Sequence, residues 1–78
     1  MKKIEVLGPG CYACDMLEQA VREAVMMAGV EAEVRHVTDY RQIAAAGLLR
    51  TPGLVIDGRV VSAGWIPSAG DIAVWLSD

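Results

Sequence analysis

The run Lys3-Ile4-Glu5-Val6-Leu7-Gly8-Pro9-Gly10-Cys11-Tyr12-Ala13-Cys14-Asp15 decides how this chain is read. Its first five residues are strand-compatible, Gly8-Pro9-Gly10 ends the strand, and from Cys14 the apolar period becomes helical. Cys11 and Cys14 are the chain's two cysteines, and this order sets them where a strand hands over to a helix. A sulfur at a helix mouth lies beside N–H groups that lack intrahelical partners, near the positive end of the helix dipole. Both influences favour thiolate, the species that attacks disulfides and binds soft metals. The stretch therefore predicts a redox or metal-handling module, with Cys11 at the mouth and Cys14 one turn in.

Working outward, Leu17, Ala20, Val21, Ala24, Val25 and Ala28 recur at helical spacing and form one apolar stripe. Glu18 and Arg22 lie four apart on the other side. Gly29 is a left-handed stop, followed by Val30. The segment Val30 to Val37 alternates charged and apolar residues, as a half-buried edge strand does. Thr38 or Asp39 caps a short helix from Tyr40 to Ala46, closed by Gly47. Leu54-Val55-Ile56 is a continuous apolar run expected of a strand buried on both faces. Asp57-Gly58 is a hairpin signal, with Arg59 to Ala63 as the returning strand. Ser68 caps a last helix, Asp71 lies near its positive end, and Ile72, Trp75 and Leu76 face the sheet. The resulting order is βαβαββα, an α/β fold with a small mixed sheet and helices on both faces. Its first two strands are parallel, joined by a right-handed crossover.

Composition narrows the function. A chain of 78 residues has room for one core, so residues 1–78 read as one domain; a domain this size buries only about 60% of the surface its unfolded chain exposes. Its 54% apolar content argues against disorder. No apolar stretch approaches the roughly 20 residues that span a membrane. The segment Met1 to Val6 lacks a signal-peptide apolar core, so a cytoplasmic location is the default. A net charge of −3 with no Lys/Arg cluster argues against nucleic acid. A disulfide across so short a loop would stabilise by only about 2 kcal/mol. Small secreted scaffolds carry more cysteines closing longer loops, so a purely structural staple is disfavoured.

The strand–Cys11-Tyr12-Ala13-Cys14–helix unit, Thr51-Pro52 before the buried strand, the Asp57-Gly58 hairpin and the following Gly64 together resemble the thioredoxin/glutaredoxin superfamily. The phrases Gly8-Pro9-Gly10-Cys11, Ala46-Gly47-Leu48 and Thr51-Pro52-Gly53-Leu54-Val55-Ile56-Asp57-Gly58 are similar to its shortest members, the small redox-active disulfide proteins, over nearly the whole chain. The resemblance implies a minimal thioredoxin/glutaredoxin-like fold with a four-stranded sheet. It also implies a thiol–disulfide oxidoreductase whose redox group is the Cys11–Cys14 disulfide, with no other cofactor and no metal.

In this reading Cys11 is the nucleophile and Cys14 resolves the mixed disulfide. Tyr12 and Ala13 tune the potential; no Lys, Arg or His adjoins the sulfurs and Asp15 follows Cys14, so a thiolate pKa nearer 7 than 4 and a reducing poise are expected. By resemblance Pro52 is a cis proline beside the sulfurs, and Thr51 offers its backbone to an extended substrate segment. Without the family, Pro52 reads equally as a trans residue that starts a strand. Tyr12 and Gly64 complete the substrate edge, which Trp65 also borders. Glu5 lies six residues before Cys11, where longer thioredoxins carry a buried acid. It is either a proton-transfer group or an outward side chain on a poorly covered part of the sheet. His36 reads as a surface side chain and the four methionines as packing residues. The partners implied are protein disulfides and a reductase such as thioredoxin reductase, with no nucleic acid and no membrane, acting as a monomer.

Three rivals remain. Small copper chaperones also place Cys-x-x-Cys between a first strand and a first helix, but in the order βαββαβ and with a Met before the motif. A glutathione-using glutaredoxin would need a Gly-Gly-x-Asp-like turn where this chain has Trp65-Ile66-Pro67-Ser68. An adaptor that keeps the fold without catalysis has no need of two intact cysteines.

Overall fold

A computed structural model describes residues 1–10 and 12–77. The elements run β1 (Lys2–Leu7), α1 (Tyr12–Ala28), β2 (Ala32–Val37), α2 (Tyr40–Ala45), β3 (Gly53–Ile56), β4 (Arg59–Ala63) and α3 (Ala69–Leu76). This is the expected βαβαββα order. The sheet order is β2-β1-β3-β4, with β1 parallel to β2 and antiparallel to β3, and β3 antiparallel to β4. The alternating, charge-bearing β2 lies at an edge, and the wholly apolar Leu54-Val55-Ile56 lies inside.

Strand alternation divides the core in two. Ile4, Val6, Leu54 and Ile56 face α1 and α3, where they pack with Cys14, Leu17, Val21, Ala24, Ile72 and Leu76. On the other face Leu7, Val37 and Val55 pack with Ile43 of α2 and with Leu48. Helices therefore cover both faces, but α2 is short and shields only the end of the sheet nearest Leu7. The uncovered remainder presents Lys3 opposite Glu33 and Glu5 opposite Arg35, two pairs of opposite charge in register.

The caps follow their sequence signals. Asp39 accepts the Arg41 N–H at 2.8 Å, and Ser68 Oγ accepts the Asp71 N–H at 3.1 Å. The Arg22 guanidinium reaches the Glu18 carboxylate at 3.3 Å along α1. At the hairpin, Asp57 and Gly58 have φ of 50° and 82°, as a tight two-residue turn requires. The Asp57 Oδ1 accepts the Lys3 N–H at 2.9 Å and Lys2 Nζ lies 3.4 Å from Oδ2. That backbone hydrogen bond, assisted by Lys2, holds the Asp57 carboxyl below its ordinary pKa.

Some local readings need correction. Helix α1 begins at Tyr12, ahead of the apolar period that starts at Cys14, and Cys14 sits in its first turn as expected. The methionines do not pack: Met1, Met16, Met26 and Met27 are all exposed, because those of α1 lie off the Leu17–Val21–Ala24 stripe. Strand β4 carries a bulge at Val61, since Leu54 pairs with Ser62 while Val55 pairs with Val60.

Candidate active site

The site lies where β1 ends. Gly8, the residue after β1, donates its N–H to the Val37 carbonyl at 3.0 Å, which ties the start of the 8–10 turn to the end of β2. Leu7 pairs with Gly53, which brings the Thr51-Pro52 turn alongside. Cys14 projects from the first turn of α1 into this corner and is fully buried. A Cβ on Gly8 would run into Cys14 Sγ, and would lie 3.7 Å from both Cys14 Cβ and Thr51 Cβ. Only a residue without a side chain lets the helix and the turn approach so closely.

The Thr51–Pro52 peptide bond is cis. Pro52 is buried and Thr51 is exposed. The Pro52 carbonyl accepts the Gly64 N–H at 2.9 Å, so the turn before β3 and the one after β4 are joined. Tyr12 stands on the outer side of α1's first turn and is exposed. Four expected site residues, Cys14, Thr51, Pro52 and Gly64, are thus brought to one edge, with Tyr12 beside them at the surface. Cys11, and with it the Cys11–Cys14 bridge, lies outside the described residues. Trp65 follows Gly64 and is half-exposed, but its ring meets Trp75 of α3 edge-to-face, with centroids 6.3 Å apart, and nothing places it against Cys14 or Thr51.

Glu5 is not brought to this edge. Its neighbours in the strand, Ile4 and Val6, point toward α1 and Cys14, so alternation turns Glu5 to the opposite face. There it borders a shallow cleft with Lys3, Glu33 and Arg35. The sheet stands between its carboxyl and the Cys14 sulfur, so direct proton transfer between them has no path. His36 also differs from expectation. Alternation along β2 sets it on the α1 face with Ala32 and Val34, where it is half-buried, its Nδ1 3.9 Å from Glu18 Oε1. Among the described residues its Nε2 and the Ser62 Oγ, both buried, have no hydrogen-bond partner.

A family model described as a thioredoxin domain matches residues 2–77. The chain belongs to the thioredoxin family. The thioredoxin of Methanothermobacter thermautotrophicus is 42% identical over 77 residues, spanning 99% of this chain and 100% of that protein. The thioredoxin of Methanocaldococcus jannaschii is 38% identical over 72 residues, spanning 92% of this chain and 83% of its own. At family level the chain is a thiol–disulfide oxidoreductase on a minimal thioredoxin-like fold. Helix α2 between β2 and β3, and helix α3 after β4, depart from the βαββαβ order of a copper chaperone. Among the described residues no helix is long and apolar enough to cross a membrane.

Sequence reasoning missed one residue at this edge, Arg50. The side chain of Arg50 lies over Gly64: a Cβ there would meet Arg50 Cβ at 2.9 Å and Cδ at 3.0 Å. The only sequence signal was its place directly before Thr51-Pro52.

Proposed function

We propose that this protein reduces disulfides in other proteins through Cys11 and Cys14, in the cytoplasm, and is itself recharged by a reductase. The observation that carries the reading is the convergence of the buried Cys14 sulfur and exposed Thr51 on Gly8. It sets a shielded second sulfur beside the segment that an extended polypeptide can pair with.

The chemistry requires two exchanges. The Cys11 thiolate attacks one sulfur of the target disulfide, forming a mixed disulfide and releasing the other target sulfur as thiolate. Cys14, deprotonated, then attacks the Cys11 sulfur of that mixed disulfide, releasing the second target sulfur and closing the Cys11–Cys14 bridge. The target gains two electrons and the two thiol protons; this protein loses them. A dithiol or a reductase returns it to the dithiol form. Burial of Cys14 suits the second role, because an intramolecular attack needs no access from solvent.

The test couples reduction of a protein disulfide, such as that of insulin, to either thioredoxin reductase or glutathione. Turnover with the reductase is the expected result, and no turnover with either donor overturns the reading. A midpoint potential near about −120 mV, in the strong-oxidant range, would also overturn the reductant assignment.

A further inference from the structure

Given that reading, we propose that Arg50 selects target disulfides flanked by a carboxylate. Arg50 immediately precedes Thr51, so an extended segment paired with Thr51 runs past it. It borders a small cleft with Pro9, Tyr40, Leu48, Leu49 and Thr51, in which Tyr40 and Leu49 are largely exposed. Its aliphatic stem rests against Gly64, whose N–H is in turn held by the Pro52 carbonyl. The guanidinium is therefore carried by the same two turns that frame the sulfur.

Three features give this arrangement a ligand preference. First, Arg50 forms no ion pair among the described residues, whereas Lys2 is spent on Asp57 and Arg22 on Glu18. Second, although Arg50 is exposed, its stem lies along Gly64, where the lack of a side chain leaves room for it, which aims the guanidinium along the docking edge. Third, a guanidinium is always charged and presents a planar fork of donors matched to a carboxylate. An extended chain advances about 3.3 Å per residue, so an arginine beside the docking residue covers side chains within about two positions of the target cysteine. A protein of net charge −3 otherwise repels acidic partners. A cation at the docking edge reverses that locally and rejects a lysine in the same place.

The experiment uses two disulfide-bearing peptides, identical except for Asp or Lys two residues from one cysteine. The readout is the ratio of kcat/KM for the Asp peptide to that for the Lys peptide. Wild-type protein is expected to give a ratio about fivefold above that of Arg50→Ala, the scale of one partly exposed charge pair. Arg50→Glu should lower the ratio further, and Arg50→Lys should restore part of it. The wild-type preference should shrink in about 0.5 M NaCl, where screening is strong. Equal ratios for wild-type and folded Arg50→Glu protein overturn the proposal. Should that variant fail to fold, a wild-type preference indifferent to salt overturns it instead. Wild-type protein that reduces neither peptide sinks the reductant reading along with this one; reduction of both with unchanged ratios sinks Arg50 alone.

Discussion

Gly8 and the Cys14 sulfur are packed so closely that the glycine has no room for a methyl group. Substituting Gly8→Ala is therefore expected to push either the sulfur or the start of the 8–10 turn aside, at a cost of about 1–3 kcal/mol. Urea unfolding of the reduced protein measures it. Because the displaced group carries the resolving sulfur, the variant should also resolve mixed disulfides more slowly than wild type. An unchanged midpoint and an unchanged rate would mean that the contact is easily relieved.

The two sulfurs should behave differently. Cys14→Ser is expected to accumulate a mixed disulfide through Cys11, visible as an intact covalent adduct by mass spectrometry, since the resolving step is removed. Cys11→Ser should form no adduct and show no turnover. An adduct trapped on Cys14 in the Cys11→Ser protein would reverse the assignment of roles.

Glu5→Gln should leave the reduction rate and its pH profile within about twofold of wild type. The carboxyl lies across the sheet from Cys14 and faces Arg35 in register. A rate that falls steeply, with a shifted pH profile, would show that the sheet transmits a proton requirement to the sulfur.

The hairpin supplies a pH signature independent of the cysteines. The Asp57 carboxyl is held below its ordinary pKa, chiefly by the Lys3 N–H. A carboxyl depressed in the folded state stabilises the protein fully above its unfolded pKa. That contribution disappears as pH falls through the lower, folded value. Asp57→Asn should therefore flatten the acid limb of a stability–pH curve while leaving the slope near neutrality alone. A native-state carboxyl titration of Asp57 at or above the ordinary value would contradict this.

Ser68→Ala removes the acceptor for the Asp71 N–H at the start of α3. The expected loss is about 1 kcal/mol, read as a lower Tm with unchanged reduction chemistry. A Tm equal to wild type would show that water replaces the hydroxyl at no cost.

Much of this architecture was legible because its signals are local. The stripe of Leu17, Val21 and Ala24 announces α1, the Asp39 carboxylate and the Ser68 hydroxyl announce two helix starts, and Asp57-Gly58 announces the hairpin. Each depends on neighbours within about one helical turn or one hairpin, whose physics a sequence carries intact. The Val61 bulge, the half-burial of His36 and the exposure of the methionines depend on which element packs over which, and were misread or missed. Glu5 shows the limit most plainly: its distance from Cys11 along the chain fits a proton-transfer group, while strand alternation sets it on the far face.

Sequence alone determined the order of elements, the placement of Cys14 in a helix start and the family, because propensity, period and motif are properties of short stretches. Tertiary structure decided which residues share a corner. Gly8, Cys14, Thr51, Pro52 and Gly64 meet only because β1 pairs with β3 and the Pro52 carbonyl reaches the Gly64 N–H. Arg50 joins them because Gly64 leaves space for its stem. Such meetings are settled by packing between distant segments, whose close approach depends on the absence of a single methyl group.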